Sequence, residues 1–160
     1  MDIAFKKLIP EAITPATDKD GLILDLYAAE DAFISPNEIA AVSTGICFIF
    51  PDELGLMICP PGGLNKNTSL RYAKGIMVLQ NNNYSQDAVK ILLQNSCVVK
   101  ESPEKVHEYT FIDGTIVSDS GTLYDRGTIK ICRGNCIARM MPVDAFYPNT
   151  EDIPDKFVKK

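Results

Sequence analysis

Thr44-Gly45-Ile46-Cys47-Phe48-Ile49-Phe50-Pro51-Asp52-Glu53-Leu54-Gly55-Leu56-Met57-Ile58-Cys59-Pro60-Pro61-Gly62-Gly63-Leu64-Asn65-Lys66-Asn67-Thr68-Ser69-Leu70 is a series of short apolar runs separated by Pro, Gly, Asn and Asp, and Lys74-Gly75-Ile76 continues it. Helical periodicity is scarce, which is the pattern of a sandwich or barrel of short strands. Working outward, strands are expected over 3–8, 22–27, 33–34, 39–50, 55–59, 76–79, 89–95, 107–112, 115–117, 128–132 and 138–142. The expected fold class is therefore all-β. One short helix or turn is expected over 68–73, with Asn67 or Thr68 as its cap. Asp113-Gly114, flanked by Tyr109-Thr110-Phe111-Ile112 and Thr115-Ile116-Val117, predicts a two-residue hairpin of type I′. The tail, 147–160, is polar, holds Pro148 and Pro154 and lacks glycine, so an extended arm or a disordered end is expected.

Bulk properties narrow the partners. A length of 160 residues suits one core. A formal charge of −5 and a pI near 4.9 argue against duplex nucleic acid, which requires a concentrated Lys/Arg surface. A small anion needs only a few local cations and backbone N–H groups, and it remains compatible. No apolar run approaches the roughly 20 residues that span a bilayer, and Met1-Asp2-Ile3-Ala4-Phe5-Lys6-Lys7 lacks a signal peptide's apolar core. The expectation is a cytoplasmic chain without membrane attachment. Cys47, Cys59, Cys97, Cys132 and Cys136 are an odd set scattered through apolar runs, as reduced thiols would be. Cys132 and Cys136 make a poor zinc pair beside a single His and no second close Cys pair.

Thr44-Gly45-Ile46, Pro51-Asp52-Glu53-Leu54-Gly55 and Lys74-Gly75-Ile76 resemble the middle of the trimeric dUTPase family, in the dUTPase and dCTP deaminase superfamily. The resemblance spans about 3–142. It implies a dUTPase-like distorted β-barrel, a jelly-roll-like β-clip sandwich, assembled as a homotrimer with sites at subunit clefts. It also implies a β domain over 1–146 with an inserted hairpin region at about 98–127, then an arm over 147–160. Divergence of this kind is common in phage and other viral members.

The family's phosphate-handling positions are altered. Asp25-Leu26-Tyr27-Ala28-Ala29 matches the second half of the first motif, whose aspartate helps to hold hydrated Mg2+ against the triphosphate. Asp25 is thus the implied metal position, through one carboxylate plus ligand phosphates; the alternative is an ordinary strand-end aspartate. Where the family has arginine and serine, this chain has Asn67-Thr68-Ser69-Leu70. Asparagine has neither the charge nor the planar fork that grips phosphate. Asn67, Thr68, Ser69 and Arg71 are the implied ligand-binding residues here, against a plain polar turn.

The third motif brings a uracil-accepting hairpin and the aspartate that activates water, and only Gln80-Asn81-Asn82-Asn83-Tyr84-Ser85-Gln86-Asp87-Ala88 is left for it. Asn82 lies near the base's position, but an amide cannot take a proton. Asp87 is the nearby carboxylate, several residues late, and Tyr84 is placed to play the family's sugar-packing tyrosine. In the fourth motif, Gly134-Asn135-Cys136-Ile137-Ala138-Arg139, Cys136 stands for arginine and Arg139 for glutamine, so a positive charge is moved three positions along. Arg139 is either a ligand contact or a strand arginine in a salt bridge. The Gly-rich closing arm has no counterpart, and the strand Ile91-Leu92-Leu93 lacks the glutamate that deamination needs.

The expected function is binding of a nucleotide or small anion with weak or no pyrophosphatase activity, as in a viral sponge or a regulator with a host protein partner. A divergent active dUTP diphosphatase using Asp87, Arg71 and Arg139 is the first alternative. A structural or protein-interaction trimer is the second.

Overall fold

Lys90-Ile91-Leu92-Leu93-Gln94-Asn95 shows the two-residue period most clearly: Ile91, Leu93 and Asn95 are buried and the residues between them are not. In the computed structural model, which describes residues 3–21, 23–80, 87–98 and 104–144, this run is the tenth strand. Every regular element among the described residues is a strand. In chain order they are β1 (Ala4–Lys7), β2 (Ala16–Thr17), β3 (Leu24–Tyr27), β4 (Ala32–Ile34), β5 (Ile39–Ser43), β6 (Ile46–Ile49), β7 (Leu54–Cys59) and β8 (Leu70–Tyr72). There follow β9 (Met77–Gln80), β10 (Lys90–Asn95), β11 (Lys105–Val106), β12 (Glu108–Phe111), β13 (Ile116–Ser118), β14 (Tyr124–Asp125), β15 (Ile129–Ile131) and β16 (Cys136–Asp144).

A five-stranded sheet, β2-β3-β16-β7-β9, carries the site described below. A four-stranded sheet, β13-β12-β15-β4, and a three-stranded one, β5-β10-β8, complete the main layers, with two-stranded pairs β1-β6 and β11-β14. Their inner faces share one core that includes Leu26, Ile34, Leu56, Ile91, Ile131 and Met140, all 0–1 % exposed. Each such side chain stabilises the fold by about 1.5–3 kcal/mol relative to exposure.

Thr44-Gly45-Ile46 is the corner where the expected single strand over 39–50 breaks into β5 and β6. Gly45 adopts φ 66°, and a Cβ there would lie 2.8 Å from the Ala12 Cβ and 2.9 Å from Ile9 Cγ1. Glycine is required both by the left-handed backbone and by the close approach. Thr44 is fully buried; its hydroxyl donates to Val89 O at 2.8 Å and accepts from Ile46 N at 3.3 Å. Thr44 N donates to Val89 O and Val89 N to Ile46 O, so the corner is stitched to the start of β10.

Two further local expectations are corrected. Residues 68–73 form no helix: Leu70-Arg71-Tyr72 is β8, paired antiparallel with β10. The hairpin at Asp113-Gly114 exists, joining β12 to β13, but it is not type I′. Gly114 N donates to Phe111 O, making Ile112 and Asp113 the central pair of the turn, and only Gly114 has positive φ, at 90°. That is the three-residue hairpin in which glycine forms the bulge. Asp113 Oδ1 accepts from Thr115 N at 2.8 Å and fixes the turn. The short strands β2, β11 and β14 were not expected from sequence, and the predicted arm over 147–160 lies outside the described residues.

Candidate functional site

A β-bulge sets up the site. β16 pairs antiparallel with β3 as Cys136 opposite Tyr27, then Ala138 opposite Leu26 and Arg139 opposite Asp25, the register shifting at Ile137. Without the extra residue, Ala138 would oppose Asp25 and Arg139 would turn to the other face of the sheet. With it, Ile137 and Ala138 are both buried while Cys136 and Arg139 share the outer face with Tyr27 and Asp25. On the other side of β16, Arg139 is opposite Cys59 of β7.

Arg139 Nε lies 3.3 Å from Asp25 Oδ1, with the two side chains 49 % and 33 % exposed. The contact is close enough for an ion pair, yet Oδ1 is sealed from solvent and has no aligned hydrogen-bond donor. Such an acceptor is costly unless a donor reaches it. Cys136 borders the pair: burial, and secondly the Asp25 charge, raise its thiol pKa, so it stays protonated at neutral pH. Burial and then the Asp25 charge likewise raise the Tyr27 phenol. These two neighbours of the pair are therefore neutral.

Tyr72 anchors this region from behind. Its hydroxyl is within hydrogen-bond reach of Ile137 O at 2.6 Å and Cys59 O at 3.0 Å, and it ties β8 to the bulge and to the end of β7. Burial pushes its pKa far above the ordinary phenol value, so it remains a donor.

The segment 67–71 is engaged within the protomer. Ser69 Oγ donates to Asn95 Oδ1 at 2.7 Å, which uses its one hydroxyl hydrogen. Thr68 Oγ1 accepts from Leu70 N at 3.3 Å. Asn67 packs on the tip of the β12–β13 hairpin, where a Cβ on Gly114 would lie 3.1 Å from its own. Arg71 reaches Gln94 Oε1 through Nε and Nη2 at 3.2 and 3.0 Å, on the face of β8 opposite to Tyr72. Of the sequence candidates, then, Asp25 and Arg139 are brought together, while Asn67, Thr68, Ser69 and Arg71 have partners of their own.

Asn95 was not singled out from sequence. Fully buried, it donates through Nδ2 to Ile34 O and Gly127 O and accepts at Oδ1 from Ser69 Oγ and Cys97 N. A polar residue in phase with Ile91 and Leu93 on the buried face of β10 was the available signal.

Among the described residues, two clefts elsewhere are lined by residues other than Asp25 and Arg139. One, of about 240 Å³, is lined by Phe48, Phe50, Met77 and Leu79, with Gln80, Asp87 and Lys90 as its polar residues. The other, of about 390 Å³, separates the hairpin tip (Phe111, Ile112, Asp113) from Cys132 and Asn135. Asn82 and Tyr84 lie outside the described residues. Among the described residues, no three His, Cys, Asp or Glu side chains converge to hold a metal. The charge of Asp25 is already met by Arg139, so the donor set does not fit a resident divalent ion. No described helix is long and apolar enough to cross a membrane.

No family model matches the chain, and no curated protein matches it. Solved structures do. A mutant dUTPase from phage phi11 of S. aureus, described with a structural Mg(II) ion, superposes with a TM-score of 0.84 at 17% identity, over 97% of this chain and 98% of that one. The dUTPase of Staphylococcus bacteriophage 80alpha with dUpNHpp gives 0.83 at 19% identity, over 96% and 89%. The chain has the dUTPase-like β fold over nearly its whole length, in a form widely diverged in sequence from these phage dUTPases.

Proposed function

We propose that this protein binds a nucleotide or related small anion on a dUTPase-like trimer and turns it over slowly or not at all. The observation that carries this reading is the bulge in β16, which delivers Arg139 to the face of Asp25 and so places a half-exposed guanidinium there. A guanidinium offers five N–H donors, more than one carboxylate takes up, and the Arg139 side chain is 49 % exposed. The pair lies at the sheet surface, its side chains a third and a half exposed, where a neighbouring copy would complete a site between subunits of a homotrimer.

Hydrolysis needs a base for water and exclusion of solvent besides a cation. By the sequence resemblance Asn81 or Asn82 falls nearest to the base's position, and an amide cannot take a proton. Sequestration of a nucleotide signal, or regulation through a host protein, is the role that such a binder would serve in the cytoplasm. The phage 80alpha dUTPases, similar in fold, are described as controlling transfer of virulence genes, which favours a regulatory role.

The rival reading is an active dUTP diphosphatase in which Asp87 is the base and Arg71 and Arg139 bind phosphates. The place of Asp87 in the lining of a cleft that it shares with Lys90 favours it. Pyrophosphate release from dUTP with Mg2+, measured beside calorimetric titration with dUpNHpp, separates the two. Binding with turnover below about 0.01 per second is expected, whereas a kcat near about 1 per second establishes the enzyme. Native mass spectrometry of the same sample is expected to report a trimer.

A further inference from the structure

We infer that Arg139 is the resident cation on Asp25, so that an anionic ligand binds this site without a divalent metal ion. The inference rests on the binding reading above and departs from the Mg2+ that the resemblance implies for Asp25.

Three observations carry it. First, the bulge at Ile137 converts a residue three positions beyond Cys136 into its neighbour on the outer face, so the guanidinium is built into the register opposite Asp25. Second, Asp25 Oδ1, the oxygen facing Nε at 3.3 Å, is closed to solvent, and a hydrated ion that keeps most of its water cannot reach it. An ion on the other carboxylate oxygen would meet the guanidinium as a like charge a few ångströms away. Third, the described residues supply no group of three or more His, Cys, Asp or Glu side chains around Asp25 that would hold a metal. One carboxylate already neutralised by a fixed cation is a poor ligand for a metal. The guanidinium, half-exposed and carrying five N–H donors, is a good one for phosphate oxygens.

Two measurements decide the matter. In the first, dUpNHpp is titrated into the full chain with Mg2+ or with EDTA. The dissociation constants are expected to agree within about threefold, and binding that requires Mg2+ overturns the inference. Arg139→Gln is expected to weaken binding in EDTA by about tenfold or more, and an unchanged constant also overturns it. If the wild type binds no dUpNHpp in either buffer, the binding reading falls, and the second measurement judges the metal question alone. There, Tm is recorded with Mg2+ and with EDTA for the wild type and Asp25→Asn. Equal responses of the two proteins to Mg2+ uphold the inference. A wild-type rise of about 2 °C or more that Asp25→Asn abolishes places the metal on Asp25 and overturns it.

Discussion

The junctions around Thr44 and Asn95 are closed, and the face around Asp25 and Arg139 is open. Thr44 and Asn95 are both 0% exposed, and their side chains are partnered on every side, to Val89, Ile46, Ile34, Gly127, Ser69 and Cys97. Asp25 and Arg139 are a third and a half exposed, and a buried carboxylate oxygen between them lacks an aligned donor. Polar groups spent on holding chain segments together are saturated, because each unmade hydrogen bond in the interior would cost the fold directly. Polar groups left unsaturated on a sheet face are those with capacity for another molecule. Ser69 illustrates the difference: by resemblance it belongs to the site, but its hydroxyl hydrogen is committed to Asn95, which places it with the closed junctions.

Asn95→Ala should break the closed side most severely. It removes the partner of the buried Ile34 carbonyl, the half-buried Gly127 carbonyl, the Ser69 hydroxyl and the Cys97 N–H, and a loss of about 4 kcal/mol in urea unfolding is expected. Gly45→Ala follows at about 3 kcal/mol, from the left-handed backbone plus a 2.8 Å contact to the Cβ of buried Ala12, which is fixed to its backbone. Neither variant should alter the ligand preference of whatever protein remains folded, and a changed nucleotide preference in Gly45→Ala would blur the distinction between the two regions.

The closed side was also the more legible one. Apart from β2 and β8, the strands of the main sheets follow from alternation and turn residues, since burial on one face imposes a period that a single sequence displays. Thr44-Gly45-Ile46 stood out through the family resemblance, and the structure adds the reason for its glycine, a left-handed backbone in close contact with Ala12. Leu70-Arg71-Tyr72 was misread because three residues carry no period, and the partner that makes them a strand is 20 or more residues away in β10. The two-residue ladders β2, β11 and β14 failed for the same reason. The hairpin type was missed because Asp-Gly serves both the tight turn and the bulged one, and the choice rests on which carbonyl Gly114 N reaches. At the site, Asp25 and Arg139 were each visible as a candidate but their pairing was not. It depends on a one-residue register shift that leaves no mark in composition, beyond two consecutive buried residues, Ile137 and Ala138, where alternation would give one.

Tyr72 joins the two regions, so Tyr72→Phe sharpens their boundary. It keeps the ring in the core and removes the donor from Ile137 O and Cys59 O, for an expected loss of about 1.5 kcal/mol. Because Ile137 is the bulged residue, the same variant should loosen the register of Arg139 and weaken dUpNHpp binding in calorimetry by about threefold. A stability loss with unchanged affinity would mean that the bulge holds without its anchor.

Arg139→Gln should have the smallest effect on stability and the largest on binding. Both members of the ion pair are substantially exposed, so screening reduces its worth to below about 1 kcal/mol, falling further as salt is raised. Glutamine preserves the strand and most of the stem, so β16 should keep its pairing with β3 and β7. The loss falls instead on any anion that uses the half-exposed guanidinium, where one charge and a planar set of donors vanish together. Chemical denaturation at low and high salt, run beside ligand titration, reads both quantities on one preparation. A large, salt-independent destabilisation would place Arg139 among the closed junctions with Asn95 and end its candidacy as a ligand contact.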